Sequence, residues 1–75
     1  MALFYGAVEF TAREIEVLRH LVTGLGNREI AEALGIDETT VKAHITRLMR
    51  KVRVTNRIGL TLHALDYDLG DPIGD

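Results

Sequence analysis

Two helix-patterned segments, "NREIAEAL" and "ETTVKAHITRLMRKV", are separated by only three residues, Gly35, Ile36 and Asp37. No other feature constrains the fold as tightly. A connection this short makes consecutive helices meet at a sharp angle, and it has the length of a helix-turn-helix turn with glycine where that turn needs it. Gly35 suits the left-handed residue that closes a helix, Asp37 caps the next one, and Ile36 can staple onto Val41. In the leading helix Ile30, Ala31 and Leu34 turn inward, and Gly26 or Asn27 opens it. In the trailing helix, steps of about 100° per residue from Val41 bring Ile45, Leu48 and Val52 within about 40° of one line. Thr39, Ala43, Thr46 and Arg50 gather on the opposite side, flanked by Lys42 and Arg47.

Two further helices frame this pair. "FTAREI" carries capping-box spacing in Thr11 and Glu14, with Phe10 and Ile15 placed as a hydrophobic staple. Apolar residues then recur on two sides, Ile15, Leu18 and Val22 on one and Val17 and Leu21 on the other, which predicts a central helix ending at Gly24. After "RVTN" a fourth helix is expected, with Thr55 as its cap. It has two apolar stripes: Ile58, Leu62, Leu65 and Leu69, and Leu60, Ala64 and Tyr67. One stripe can close the core, and the other is a candidate self-association surface. Asp66 and Asp68 oppose the dipole at this helix's C-terminus and should fray its last turn. No strand signal matches these helical ones, so the expected fold class is all-α with four helices.

Charge is distributed unevenly. The 75 residues carry a formal −2 at pH 7, but the stretch Glu38 to Arg57 is +5 and the remainder −7. Beyond Glu38 the basic segment has no interspersed acid. It can therefore bind an anionic partner whatever the total charge. With 27% charged and 47% hydrophobic residues the chain is an ordinary single soluble domain. The absence of cysteine excludes disulfides and thiolate metal sites. The N-terminal "MALFYGAV" is too short and too poor in basic residues for a signal peptide or a membrane span, so a cytoplasmic location is expected.

The fragments "FTAREIEVL", "GLGNREIAEALGI", "TVKAHI" and "VTNR" together resemble the LuxR-type, or GerE-type, helix-turn-helix domain of bacterial transcription regulators. The match runs from about Phe10 to Ala64. The resemblance implies a four-helix domain of the winged-helix-like superfamily without a wing, whose third helix enters the DNA major groove and whose fourth pairs two subunits. Carried over residue by residue, Lys42, Ala43 and Thr46 match positions that face base edges. Thr39, Thr40, Arg47 and Arg50 match or flank phosphate-contacting positions. Asn27 begins a helix whose N-terminus points at a phosphate, and Asn56 with Arg57 matches the "NR" that opens the fourth helix and contacts the backbone. Gly26 and Asp37 depart from the pattern, standing where the family commonly has serine, and Ile58 and Leu62 are more apolar than expected on an exposed fourth-helix face.

These observations lead to an expected stand-alone transcription regulator that binds specific double-stranded DNA as a homodimer through Ile58, Leu62, Leu65 and Leu69. The domain is expected to span residues 10–69, between an N-terminal extension (1–9) and a flexible tail (70–75). The alternative is a protein-binding adaptor or antagonist that takes another regulator, a sigma factor or RNA polymerase as its partner. Leu3, Phe4 and Tyr5 either cover the core's edge or add a contact surface. His44 is assigned to packing or hydrogen bonding. His20 and His63 lack a second ligand at helical spacing, no nucleophile–base pair is recognisable, and no phosphate-cradling glycine loop is present. No enzyme activity, cofactor, metal or small-molecule ligand is expected.

Overall fold

The computed structural model describes residues 2–5 and 8–67, the first four by their backbone alone. Four helices form the body: α1 (Ala12–Val22), α2 (Asn27–Leu34), α3 (Glu38–Val52) and α4 (Arg57–Leu65). This is the four-helix, all-α arrangement expected. Ahead of it lies an antiparallel pair that the sequence did not announce, β1 (Ala2–Tyr5) and β2 (Val8–Thr11), in register from Ala2 opposite Thr11 to Tyr5 opposite Val8. Four-residue strands are too short for a clear alternation, and an isolated hairpin is marginal in water. Tertiary contact supplies the missing stability, because Phe10 of β2 is fully buried in the core and β2 rests on α1. Residues 1–9, expected as an extension, therefore include β1 and the start of β2. Leu69 and Asp68 lie outside the described residues, as does the tail 70–75.

Helix α1 is central, touching α2, α3, α4 and β2. Its two apolar sides are the reason, since Ile15, Val17, Leu18 and Leu21 are all buried. The capping box forms as expected: Glu14 N–H donates to Thr11 Oγ1 at 3.1 Å, and Thr11 N–H to Glu14 Oε1 at 2.9 Å. At the other end Gly24 takes a φ of 89°, which turns the chain away from the helix. Gly26 supplies the N-cap of α2, and its N–H donates to Glu29 Oε1 at 2.6 Å. Gly35 closes α2 in the left-handed conformation, φ 68°, so the three-residue turn is built as its sequence implied.

Two caps differ from expectation. Asp37 has the extended backbone of an N-cap, but its side chain makes no capping hydrogen bond. The residue is exposed, and a carboxylate in water gives up little by staying hydrated. Helix α4 is capped by Asn56 rather than Thr55: Asn56 Oδ1 accepts from Gly59 N–H at 2.7 Å. The turn before it decides this. Arg53 adopts a left-handed φ of 63° at the end of α3, and half-buried Val54 packs on the core, which delays the helix start by one residue. Gly59 sits so close to Val54 that a Cβ there would come within 3.3 Å of the valine side chain.

The core closes with Leu60 and Ala64 of α4 against α1 and α3, and with Val41, Ile45, Leu48 and Val52 of α3, the four residues on the predicted inward line. Tyr67, just past α4, packs edge-on against Phe10 with ring centroids 5.5 Å apart. Among the described residues no helix is long and apolar enough to cross a membrane.

Candidate nucleic-acid interface

With one side of α3 committed to the core, the other is left to solvent. Thr39, Thr40, Lys42, Ala43, Thr46, Arg47 and Arg50 are all exposed, on one continuous 15-residue helix. Small residues along the middle of this face let the helix approach a groove closely, and the cations lie at its flanks. The face is narrower in charge than the sequence suggested. Lys51, which contributes to the basic count, turns away to Glu14, its Nζ donating to Glu14 Oε1 at 2.7 Å and to the Glu9 carbonyl at 3.1 Å. The same ammonium lies 5.6 Å from the centre of the Phe10 ring. This contact fastens the C-terminal half of α3 to β2 and the first turn of α1, which fixes the angle at which α3 is presented. Burial would raise the Glu14 pKa, but hydrogen bonds from Lys51 and Thr11 and the Lys51 charge outweigh it and hold the carboxyl below its usual value.

Residues outside α3 are arranged differently. Asn27, half-buried as the first residue of α2, accepts a hydrogen bond from Arg57 Nη1 through its Oδ1. Arg57 Nη2 donates to the Leu25 carbonyl at 2.8 Å. One guanidinium therefore ties the start of α4 to the α1–α2 connection. Two of the expected DNA-contacting side chains are thus bonded to each other, and a third, Asn56, holds the α4 cap. Nothing in local sequence could show the Asn27–Arg57 link, because its partners are 30 positions apart.

On the α3 flank nearest α1, His44 is half-buried and its Nδ1 lies 3.4 Å from Arg47 Nη2. Burial first, and then the charges of Arg47 and Arg13, hold its pKa below the ordinary histidine value, with Glu14 opposing. Elsewhere, surface pairs Arg13–Glu16 and Arg28–Glu32 span 3.3 and 3.7 Å and contribute little in water. His20 Nδ1 is engaged with the Glu16 carbonyl at 2.7 Å. Among the described residues no group of His, Cys, Asp or Glu side chains could hold a metal ion.

Helix α4 presents the second exposed feature. Ile58, Leu62 and Leu65 are 72%, 60% and 53% exposed and repeat at helical spacing along one stripe. A shallow groove lined by Leu21, Gly24, Leu25, Arg57, Ile58, Thr61 and Leu62 runs beside it.

Residues 8–64, which include this helix and the three-residue turn before it, match the model of a family described as "Bacterial regulatory proteins, luxR family". The chain belongs to the luxR family. It carries that family's DNA-binding helix-turn-helix domain, in a family of transcription regulators rather than of enzymes. LuxR-family relatives include the nitrate/nitrite response regulator protein NarP of Escherichia coli, 48% identical over 52 residues, which cover 69% of this chain and 24% of that protein. An uncharacterized transcriptional regulatory protein of Bacillus subtilis, YhcZ, is 42% identical over 87% of this chain and 30% of its own length. The transcriptional regulatory protein MctR of Rhizobium johnstonii is 38% identical over 92% of this chain and 32% of its own length. The chain thus spans about a quarter to a third of the length of these luxR-family relatives.

Proposed function

We propose that this domain regulates transcription by binding specific double-stranded DNA through the major groove, with α3 as the reading helix. The observation that carries this is the complete division of α3. Val41, Ile45, Leu48 and Val52 are buried while Thr39, Lys42, Ala43, Thr46, Arg47 and Arg50 are exposed, a surface that is basic, hydroxylated and free of bulky apolar side chains. Lys42 and Thr46 contact base edges, with Lys42 donating to guanine O6 or N7, and Ala43 packs on a thymine methyl. Thr39, Thr40, Arg47 and Arg50 hold phosphates, and so do the N-terminus of α2 at Asn27 and the Asn56–Arg57 corner. Arg57 reaches DNA with the donors it does not spend on Asn27 and Leu25.

The active species is a homodimer joined along Ile58, Leu62 and Leu65. That exposed apolar row supports self-association, and a two-fold dimer would set two reading helices on half-sites about 34 Å apart. The same face would serve a stand-alone regulator or the DNA-binding domain of a longer one. A domain that acts on bacterial DNA works in the cytoplasm.

Fluorescence anisotropy of a labelled duplex, titrated with the protein at rising salt, tests the proposal. Binding should weaken with a slope of about −0.9 per neutralised phosphate. The double variant Lys42→Glu, Arg50→Glu should abolish it while leaving the helical circular dichroism intact. Affinity indifferent to both salt and the double variant would refute DNA recognition by α3 and favour a protein partner on the α4 stripe.

A further inference from the structure

The flank of α3 beside α1 holds a group that DNA reading by the exposed face does not use. His44 lies one turn from Arg47 and is half-buried, and the charges that act on it come from two elements. Arg47 stands on its own helix. Arg13 and Glu14 stand on α1, where Glu14 is already paired with Lys51 at 2.7 Å and Arg13 with Glu16 at 3.3 Å. Arg47 Nη2 faces His44 Nδ1 at 3.4 Å, and since a guanidinium can only donate, the two share a hydrogen bond only while that nitrogen is the unprotonated acceptor. If Nδ1 acquires a proton from solvent, the hydrogen bond is lost and two cations face each other. An anion between them removes the conflict, because imidazolium Nδ1–H and guanidinium N–H can both donate to it. The anion that the proposed function brings to this face is the DNA phosphate.

We propose that His44 and Arg47 form a two-residue phosphate-binding cluster on the α3 flank beside α1, at which His44 takes up a proton as DNA binds. The proposal rests on DNA binding by α3 and adds His44 to the contact surface. In the free domain burial, and then the charges of Arg47 and Arg13, hold the His44 pKa below its ordinary value, with Glu14 opposing. A phosphate seated on the cluster offsets the Arg47 charge and favours the imidazolium, so the His44 pKa is higher in the complex than in the free domain. The sign follows from linkage. The extra affinity is fully present below the free-domain pKa and is lost as pH rises through the higher value of the complex.

The test is the affinity of the whole chain for a fluorescein-labelled duplex of random sequence, measured at constant ionic strength from about pH 5.5 to 8, where an unperturbed histidine titrates. The wild-type protein should bind up to about tenfold more tightly at the acidic end, the gain expected for one unit of pKa change. His44→Gln should lose that pH dependence, and His20→Gln, away from the cluster, should keep it. Equal pH slopes in the wild type and His44→Gln, or a wild type that binds with no slope, would overturn the proton linkage while leaving DNA binding standing. A wild type that binds no duplex at any pH would overturn both. Should His44→Gln fail to fold, NMR titration of the His44 ring in the wild type answers the same question. Its midpoint should move to higher pH when duplex is added, and an unmoved midpoint sinks the proposal.

Discussion

At the scale of single residues, the most informative side chain is Lys51, which joins two elements the sequence keeps 37 positions apart. Its charge belongs to the basic run, yet its ammonium answers Glu14 and the Glu9 carbonyl rather than solvent. Lys51→Met would keep most of the packing over Phe10 and leave a buried carboxylate with Thr11 as its remaining partner. The expected loss is about 1.5–3 kcal/mol, as for a hydrogen bond to a charged group, read from urea unfolding at neutral pH. Glu14 titrates below its usual value in the folded state. Its contribution is therefore complete above the ordinary glutamate pKa and disappears as pH falls through the folded one. Acid should accordingly erode the wild type more steeply than Lys51→Met, and parallel stability–pH curves would contradict this role. Glu14 is legible from sequence as a capping residue, since its partner Thr11 is three positions away. Its second bond is not, because nothing local marks which lysine folds back.

At the scale of elements, caps and turns decide where each helix begins and what its first turn presents. Asn56 accepts from Gly59 and so opens α4. Asn56→Ala should cost about 1 kcal/mol of stability, a usual value for a lost N-cap. Thr55→Ala should change the urea midpoint little, and the reverse order would restore Thr55 as the cap. Asp37 poses the opposite case, a capping residue whose carboxylate makes no capping bond while lying at the mouth of the helix proposed to read DNA. Asp37→Asn should leave stability unchanged and tighten duplex binding about two- to fivefold by removing an exposed charge that repels phosphate. Unaltered affinity in the anisotropy titration would show that this carboxylate stands clear of the backbone.

At the scale of the whole molecule, the domain exposes two distinct faces on different helices, proposed above for DNA reading and for self-association. Leu60 and Ala64 turn to the core, and the opposite stripe of α4 is left as the largest exposed apolar feature among the described residues. Ile58→Glu with Leu62→Glu should convert a dimer to a monomer in sedimentation equilibrium without loss of helical signal, because neither residue supports the core. Duplex affinity should fall as well, since two half-sites are no longer engaged together. A wild type already monomeric at the highest concentrations used would remove the α4 pairing.

Helix number, the short turn between α2 and α3, and the inward line Val41–Ile45–Leu48–Val52 were determined by the sequence alone. Helical periodicity and glycine conformations are local, so neighbouring residues suffice to reveal them. Tertiary structure decided what local pattern leaves open. It chose Leu60 and Ala64 over Ile58 and Leu62 for the core, and paired β1 with β2 through the burial of Phe10. It folded Lys51 back onto Glu14, and it bound Arg57 to Asn27 and the Leu25 carbonyl. Each of these depends on contacts between residues distant in the chain, where the competition for one buried surface or one acceptor is settled only once the helices have met.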